Sequence, residues 1–138
     1  MMQRTQGFTL LEVIAVIVIV SVLSVFIMIS YPSNASFSLF SLTEQLRRDI
    51  RYTQTLAMSL NTNYTITTSA NNYTISPNPP EGAINVTMPT GVTLSVNSIT
   101  FNSMGSPSNA IAVTFTITAT GGSSRTFQVI PETGYISG

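Results

Sequence analysis

The chain has 138 residues, with five arginines, no lysine, five acids and a formal net charge of zero. Charged residues make up 7% of it, far below the ~25% of an average soluble domain. A generic nucleic-acid binder needs a basic excess, and this balance argues against one. No Cys and no His occur, which removes disulfides, thiolate nucleophiles, His-dependent triads and the usual zinc ligands.

The first seven residues (MMQRTQG) are short and polar. From Phe8 to Ile29 the chain is almost wholly apolar, and Glu12 is its one charge. As a helix, those 22 residues would reach about 33 Å, enough for a bilayer core. The run is rich in Val and Ile, but a lone strand cannot satisfy its backbone in lipid, so a helix is expected. An ordinary secretory signal would be shorter and would end in a small-residue cut site, which Ser30-Tyr31-Pro32 does not supply. Arg4 is the only charge ahead of the run, so the positive-inside rule puts the N-terminus in the cytoplasm and the body on the outer side. Ser21 and Ser24 have two readings, a bond to the carbonyl one turn back or a small-residue helix–helix contact. Glu12 also has two. It can sit at the membrane interface, favoured by the dipole at the helix start, or pair with a specific partner that offsets a cost on the order of 3 kcal/mol in a span.

Pro32 predicts a bend or break near Tyr31. A second helix is predicted from Phe37 to Leu60, where Leu39, Leu42, Leu46, Ile50, Thr53, Ala57 and Leu60 recur at three- and four-residue steps. Glu44, Arg47, Arg48 and Arg51 lie on its other faces. The arginine cluster reads as a solvated face, a subunit contact or an anion patch, with Glu44 and Asp49 offsetting much of its charge. From Asn63 the period becomes two. Tyr64–Thr67 and Tyr73–Ser76 flank a turn and read as a hairpin. Residues 77–82 (PNPPEG) and 104–108 read as loops. Strands are predicted at 84–88, 92–96, 99–102, 110–119, 125–130 and 135–137. A helix on an antiparallel β-sheet or β-sandwich is an α+β architecture.

Gly7, then Phe8-Thr9-Leu10-Leu11-Glu12-Val13, then an apolar helix, resembles the type IV prepilin signature of type IV pilins and type II secretion pseudopilins. The β body and the helix end RDIRYTQTLAMS resemble minor subunits of the FimT and GspH type. The resemblance implies cleavage by prepilin peptidase between Gly7 and Phe8 and N-methylation of Phe8. It implies storage in the bacterial inner membrane with a periplasmic body, then assembly with other pilin or pseudopilin subunits. In that family the glutamate of one subunit meets the N-terminal amine of a neighbour and sets axial register, a role that falls on Glu12 and Phe8. Within one chain the same pair is spaced i to i+4 and shares a helix face.

The implied division is a leader at residues 1–7, a membrane and assembly helix at 8–31, the second half of the helix at 32–61 and an antiparallel β body at 62–138. The same N-terminus serves type IV pili, mannose-sensitive-haemagglutinin-like pili and type II secretion pseudopili. No catalytic residue, metal site or cofactor is predicted, because the acids of the body show no paired spacing and no Asp-rich loop. Four N-x-[ST] triplets, at Asn34, Asn63, Asn72 and Asn85, fit chance in an Asn- and Thr-rich body. The expected role is a structural subunit, at the tip or in initiation. The alternative is a tip subunit that binds a ligand by adhesion or DNA uptake, and DNA is disfavoured because Arg125 is the only base of the C-terminal half.

Overall fold

The computed structural model describes residues 9–30 and 34–138, with side chains for 9–24 and 38–138. The chain divides into two compact units, Met1–Pro32 and Ser33–Gly138. The first unit holds helix α1, Leu10–Ser30. Its described side chains are exposed all round, and Leu, Val and Ile lie on every face. The Ser21 and Ser24 hydroxyls donate to the carbonyls of Ile17 and Val20, each at 2.7 Å, so both hydroxyls are satisfied inside the helix as the back-bonding reading expects. The expected break near Tyr31 lies outside the described residues.

The second unit opens with helix α2, Asn34–Ser59. Its buried stripe is Leu39, Leu46, Ile50, Thr53 and Ala57, joined by Thr43 and Leu56. Leu42 is partly buried. The two buried threonines return their hydroxyls to the helix, Thr43 to the Leu39 carbonyl and Thr53 to the Asp49 carbonyl, each at 2.6 Å. Leu60, expected in the stripe, is 44% exposed. The helix has already ended there. Asn61 takes a left-handed conformation (φ 49°), and the Thr62 N–H closes onto the Ala57 carbonyl at 3.2 Å. This is the Schellman pattern, in which Asn substitutes for the usual Gly.

The rest of the body is two four-stranded antiparallel sheets. The first has the order β3-β2-β1-β5, with β1 Tyr64–Thr68, β2 Asn72–Ser76, β3 Asn85–Thr87 and β5 Asn97–Phe101. The second has the order β4-β6-β7-β8, with β4 Val92–Leu94, β6 Val113–Ala119, β7 Ser124–Val129 and β8 Ile136–Ser137. The predicted hairpin is β1–β2, with Ile66 opposite Ile75. Alternation decides what goes inside. Tyr64, Ile66, Tyr73, Ile75, Ile99 and Phe101 of the first sheet join Phe115, Ile117, Phe127 and Val129 of the second in one core with α2. Helix α2 packs on β1 and β5 of the first sheet and on β6 and β7 of the second.

The outward positions are hydroxyls and amides rather than charges. Thr65 meets Thr100 at 2.8 Å, and Asn72 donates to Asn85 at 3.2 Å. Asn72 and Asn85 also begin two of the N-x-[ST] triplets, and here they pair with each other across β2 and β3.

Three strand expectations change. The strand expected from Ile99 begins two residues earlier, at Asn97. The strand expected from Ala110 begins at Val113. In the register that pairs Val113 with Val129, Ile111 would face Pro131, which has no N–H to give the ladder. Ile111 is accordingly outside the strand and 77% exposed. The strand expected to reach Val96 stops at Leu94, because the chain there leaves the second sheet to enter β5 of the first. Polar side chains stitch that crossing. Buried Thr68 donates to the Ser95 carbonyl at 2.7 Å and accepts from the Asn97 N–H at 2.9 Å. Asn97 donates to the Thr114 carbonyl at 2.8 Å, and the Ser95 hydroxyl accepts from the Thr116 N–H at 2.9 Å. Groups on both sheets that would otherwise be buried without partners are thus satisfied.

Candidate functional site

The sequence places the candidate site in two regions, the start of α1 and the polar side of α2. At the first, Glu12 lies in the opening turn of α1 and is exposed. Its N–H donates to the carbonyl of Thr9 at 3.1 Å and to the Thr9 hydroxyl at 3.3 Å. Thr9 is therefore the N-cap and Glu12 the third helical residue, the spacing of a capping box. Sequence reasoning assigned Thr9 no role, although T-x-x-E ahead of an apolar run is the signal that would have found it. The cap fixes where the helix starts, and so fixes that Glu12 sits within one turn of that start. Gly7 and Phe8, the expected cleavage and methylation positions, lie outside the described residues, as does any contact between the Phe8 amine and Glu12. The axis of α1, at 21 residues, is about 32 Å long. Within residues 9–24 and 38–138, whose side chains are described, no helix is long and apolar enough to cross a membrane.

On α2 the three arginines have different settings. Arg47 is held within the body. It pairs with Glu44 at 3.5 Å, lies over the Phe127 ring at 5.1 Å and donates to the Gly138 carbonyl. Its Nε is buried and has no hydrogen-bond partner among the described residues. Arg48 and Arg51 are exposed, so their guanidinium groups face outward. The sequence grouped the three by proximity. The structure separates them, because Phe127 and Gly138 reach Arg47 through tertiary packing.

Two carboxylate–phenol bonds tie the same helix to the first sheet and its loop. Tyr73 donates to Asp49 at 2.5 Å, and Tyr52 donates to Glu81. Burial, with the bond to Asp49 second, pushes the Tyr73 hydroxyl far above its ordinary range, so it stays protonated. The bond to Glu81 pushes Tyr52 up to about 12, and the same bond lowers Glu81 below its ordinary value of 4.5. These pairings use the carboxylates as structural acceptors. Among the described residues no group of three or more His, Cys, Asp and Glu side chains converges.

The Tyr52–Glu81 bond sets a pH dependence with two signs. The depressed Glu81 contributes stability above its unfolded value of 4.5, lost as pH falls through the lower folded value. The raised Tyr52 contributes stability below 10, lost as pH rises through about 12. Unfolding midpoints of wild type and Tyr52→Phe, measured against pH, should differ by a constant amount between about pH 5 and 9 and converge on either side. A difference that persists unchanged at pH 3 would show that the bond contributes nothing. Glu81 is exposed and Tyr52 only partly buried, so the difference is small.

The prokaryotic N-terminal methylation motif matches residues 2–28. The family described as type II transport protein GspH matches residues 42–133. No curated protein matches. Among solved structures the fold is similar to the type IV minor pilin FimU of Pseudomonas aeruginosa strain PAO1 in two crystal forms. The first form is 19% identical, with 77% of this chain and 91% of that one covered and a TM-score of 0.61. The second is 20% identical, with 72% and 90% covered and a TM-score of 0.58. Helix α2 from Leu42 onward and every strand of the two sheets except β8 thus fall within a match that spans well over half the chain, and by it this chain belongs to the type II transport protein GspH family.

Proposed function

We propose that the chain is a minor pilin or pseudopilin that is cut after Gly7, methylated at Phe8 and built into a type IV pilus or type II secretion pseudopilus. The observation that carries this reading is an exposed helix, apolar on every face, with one carboxylate in its capped first turn. A helix apolar all round belongs in an apolar surrounding. The inner membrane supplies one before assembly, and the bundle of neighbouring helices supplies one afterwards. Cleavage creates an ammonium at Phe8, the one opposite charge at that depth. Paired with Glu12 of the next subunit, it sets axial register even where it adds little stability.

On this reading residues 1–7 are the leader, 8–31 the membrane and assembly helix, 32–61 the second half of the helix and 62–138 the outward β body. Arg48 and Arg51, with Arg47 behind them, are candidate subunit contacts. Placement at the tip or in initiation fits the minor-subunit class. The sheets present hydroxyls and amides outward, with Arg125 the only base of the β body, which favours a structural role over capture of DNA.

N-terminal sequencing and intact mass of the protein made together with its prepilin peptidase test the reading. The expected mature chain starts at methylated Phe8. A chain that keeps Met1 under those conditions would sink it.

A further inference from the structure

The strands β3, β5, β4 and β8 lie at sheet edges, and their outward backbone groups can be followed one by one. In β5 the Thr100 carbonyl accepts from the Ser108 N–H at 2.8 Å, and the Ser98 carbonyl accepts from the Asn109 side chain at 3.3 Å. In β4 the N–H groups of Val92 and Leu94 donate to the carbonyls of Pro89 and Ala70, each at 3.0 Å. β8 is two residues long. Neighbouring chain thus covers two of these edges, and brevity limits a third.

β3 is left open. Ile75 donates its N–H to the Ile84 carbonyl at 3.3 Å, and Met88 donates to the Asn71 carbonyl at 2.7 Å. Bonded positions alternate along an antiparallel ladder, so Ile84, Val86 and Met88 turn their backbone groups to β2. Asn85 and Thr87 turn their N–H and C=O groups away from the sheet, where they meet no partner among the described residues. Both residues are exposed. The strand has no Pro, no charge and no bulge, the features that ordinarily keep an edge from pairing.

The surroundings select what can pair there. On the inner face of β3, Val86 is partly buried opposite Tyr73, whose hydroxyl reaches Asp49 of α2 at 2.5 Å. Tyr52, further along α2, holds Glu81 of the loop that leads into β3. Arg48 shares that flank of the helix, at i−4 from Tyr52, and its charge acts on the Tyr73 hydroxyl. Arg48 is exposed. It has no carboxylate partner, since Arg47 with Glu44 is the one ion pair among the described residues. The inner side of the open edge therefore offers an apolar contact and an unneutralised cation.

We propose that β3 is a docking edge, where an extended segment of a different protein adds a fifth strand to the four-stranded first sheet. That segment places an apolar side chain beside Val86 and a carboxylate toward Arg48. Main-chain bonds to Asn85 and Thr87 supply affinity, and the alternate side chains supply the choice of partner. A second copy of this chain is a poor occupant. Pairing β3 with its own twofold mate puts both Arg48 flanks on the same face of the joined sheet, cation toward cation. The inference goes beyond the filament reading and does not depend on it. Within a filament the partner is a subunit of another kind.

The probe is the capped peptide Thr-Val-Thr-Asp-Thr-Val-Thr, added to the full-length protein in detergent. Its Val and Asp side chains share one face when it is extended. At about 1 mM it should slow amide hydrogen exchange at Asn85 and Thr87 about tenfold. Thr87→Pro removes an outward N–H without touching the β2 ladder and should abolish the slowing. Arg48→Glu should weaken peptide binding about fivefold, and the same peptide with Lys in place of Asp should restore it. Should Thr87→Pro lower the melting point, Arg48→Glu and its rescue decide. No slowing at Asn85 and Thr87, or slowing that survives these variants unchanged, overturns the docking edge. So does slowing without peptide that grows with protein concentration, which makes a second copy the occupant. No filament enters the measurement, so each of these results leaves the filament reading where it stands.

Discussion

Glu12→Ala is expected to lower incorporation of the chain into filaments by more than tenfold, while Glu12→Asp loses less. The side chain is exposed in the first turn of an otherwise apolar helix, and its own chain satisfies its N–H through Thr9. What its own chain does not supply is a cation for the carboxylate among the described residues. Loss of one partner from a buried ion pair costs about 3–5 kcal/mol, because the other charge is left uncompensated. Here the stranded charge would be the Phe8 ammonium of a neighbour in the helical core. Asp keeps the charge on a shorter stem and so keeps part of the attraction. Glu12→Gln separates charge from shape. Its backbone N–H keeps the same bonds to Thr9, so it should fail as Ala does if charge sets register. The measurement is the fraction of the chain in sheared filaments relative to membranes, with total protein held equal. Equal assembly of Ala, Asp and wild type would return Glu12 to a purely local place at the helix start, where the dipole alone favours it.

The start of α1 shows what a sequence displays openly and what it hides. The apolar run and its lone carboxylate are local, so a scan along the chain finds them. Thr9 is just as local, but it stands inside the family motif, and its capping role shows only in the T-x-x-E spacing to Glu12. In the body, the stripe from Leu39 to Ala57 and the alternation at Tyr64–Thr67 and Tyr73–Ser76 were legible for the same reason. Each is a periodicity within one element. The pairing of β5 with β1 instead of with β4 has no such signature, since it depends on which apolar faces can cover α2 together. The late start of β6 is intermediate. Pro131 is visible in the sequence, but its effect on Ile111 needs the register that sets them opposite. Arg47 is the clearest case on the site side. Its neighbours Glu44 and Arg48 are sequence-local, whereas Phe127 and Gly138, which hold it inside the body, are most of a chain away.

The same tertiary packing governs the largest expected loss of stability, that of Phe127→Ala. Phe127 is 1% exposed. It faces Phe115 across the β6–β7 ladder, with ring centroids 5.3 Å apart and planes at 19°. The Arg47 guanidinium also lies over its ring, 5.1 Å from the centroid. A buried Phe cut to Ala ordinarily costs about 3–5 kcal/mol. The stacked pair adds about 0.5–1.5 kcal/mol beyond area, and Arg47 loses the ring that covers its partly buried head. Set against the 5–15 kcal/mol typical of a domain, this approaches the whole stability of a body of this size. The full-length variant in detergent should therefore melt some 15 °C or more below wild type, at about 4–8 °C per kcal/mol for a small domain, with Phe127→Leu intermediate. Thr126→Ala is the adjacent control. It points outward on the same strand and is exposed, so its melting point should stay within a few degrees of wild type. If the two alanine variants melt together, the Phe115–Phe127 stack is not the centre of the fold, and the anchorage of Arg47 against β7 would have to rest on Glu44 and Gly138 alone.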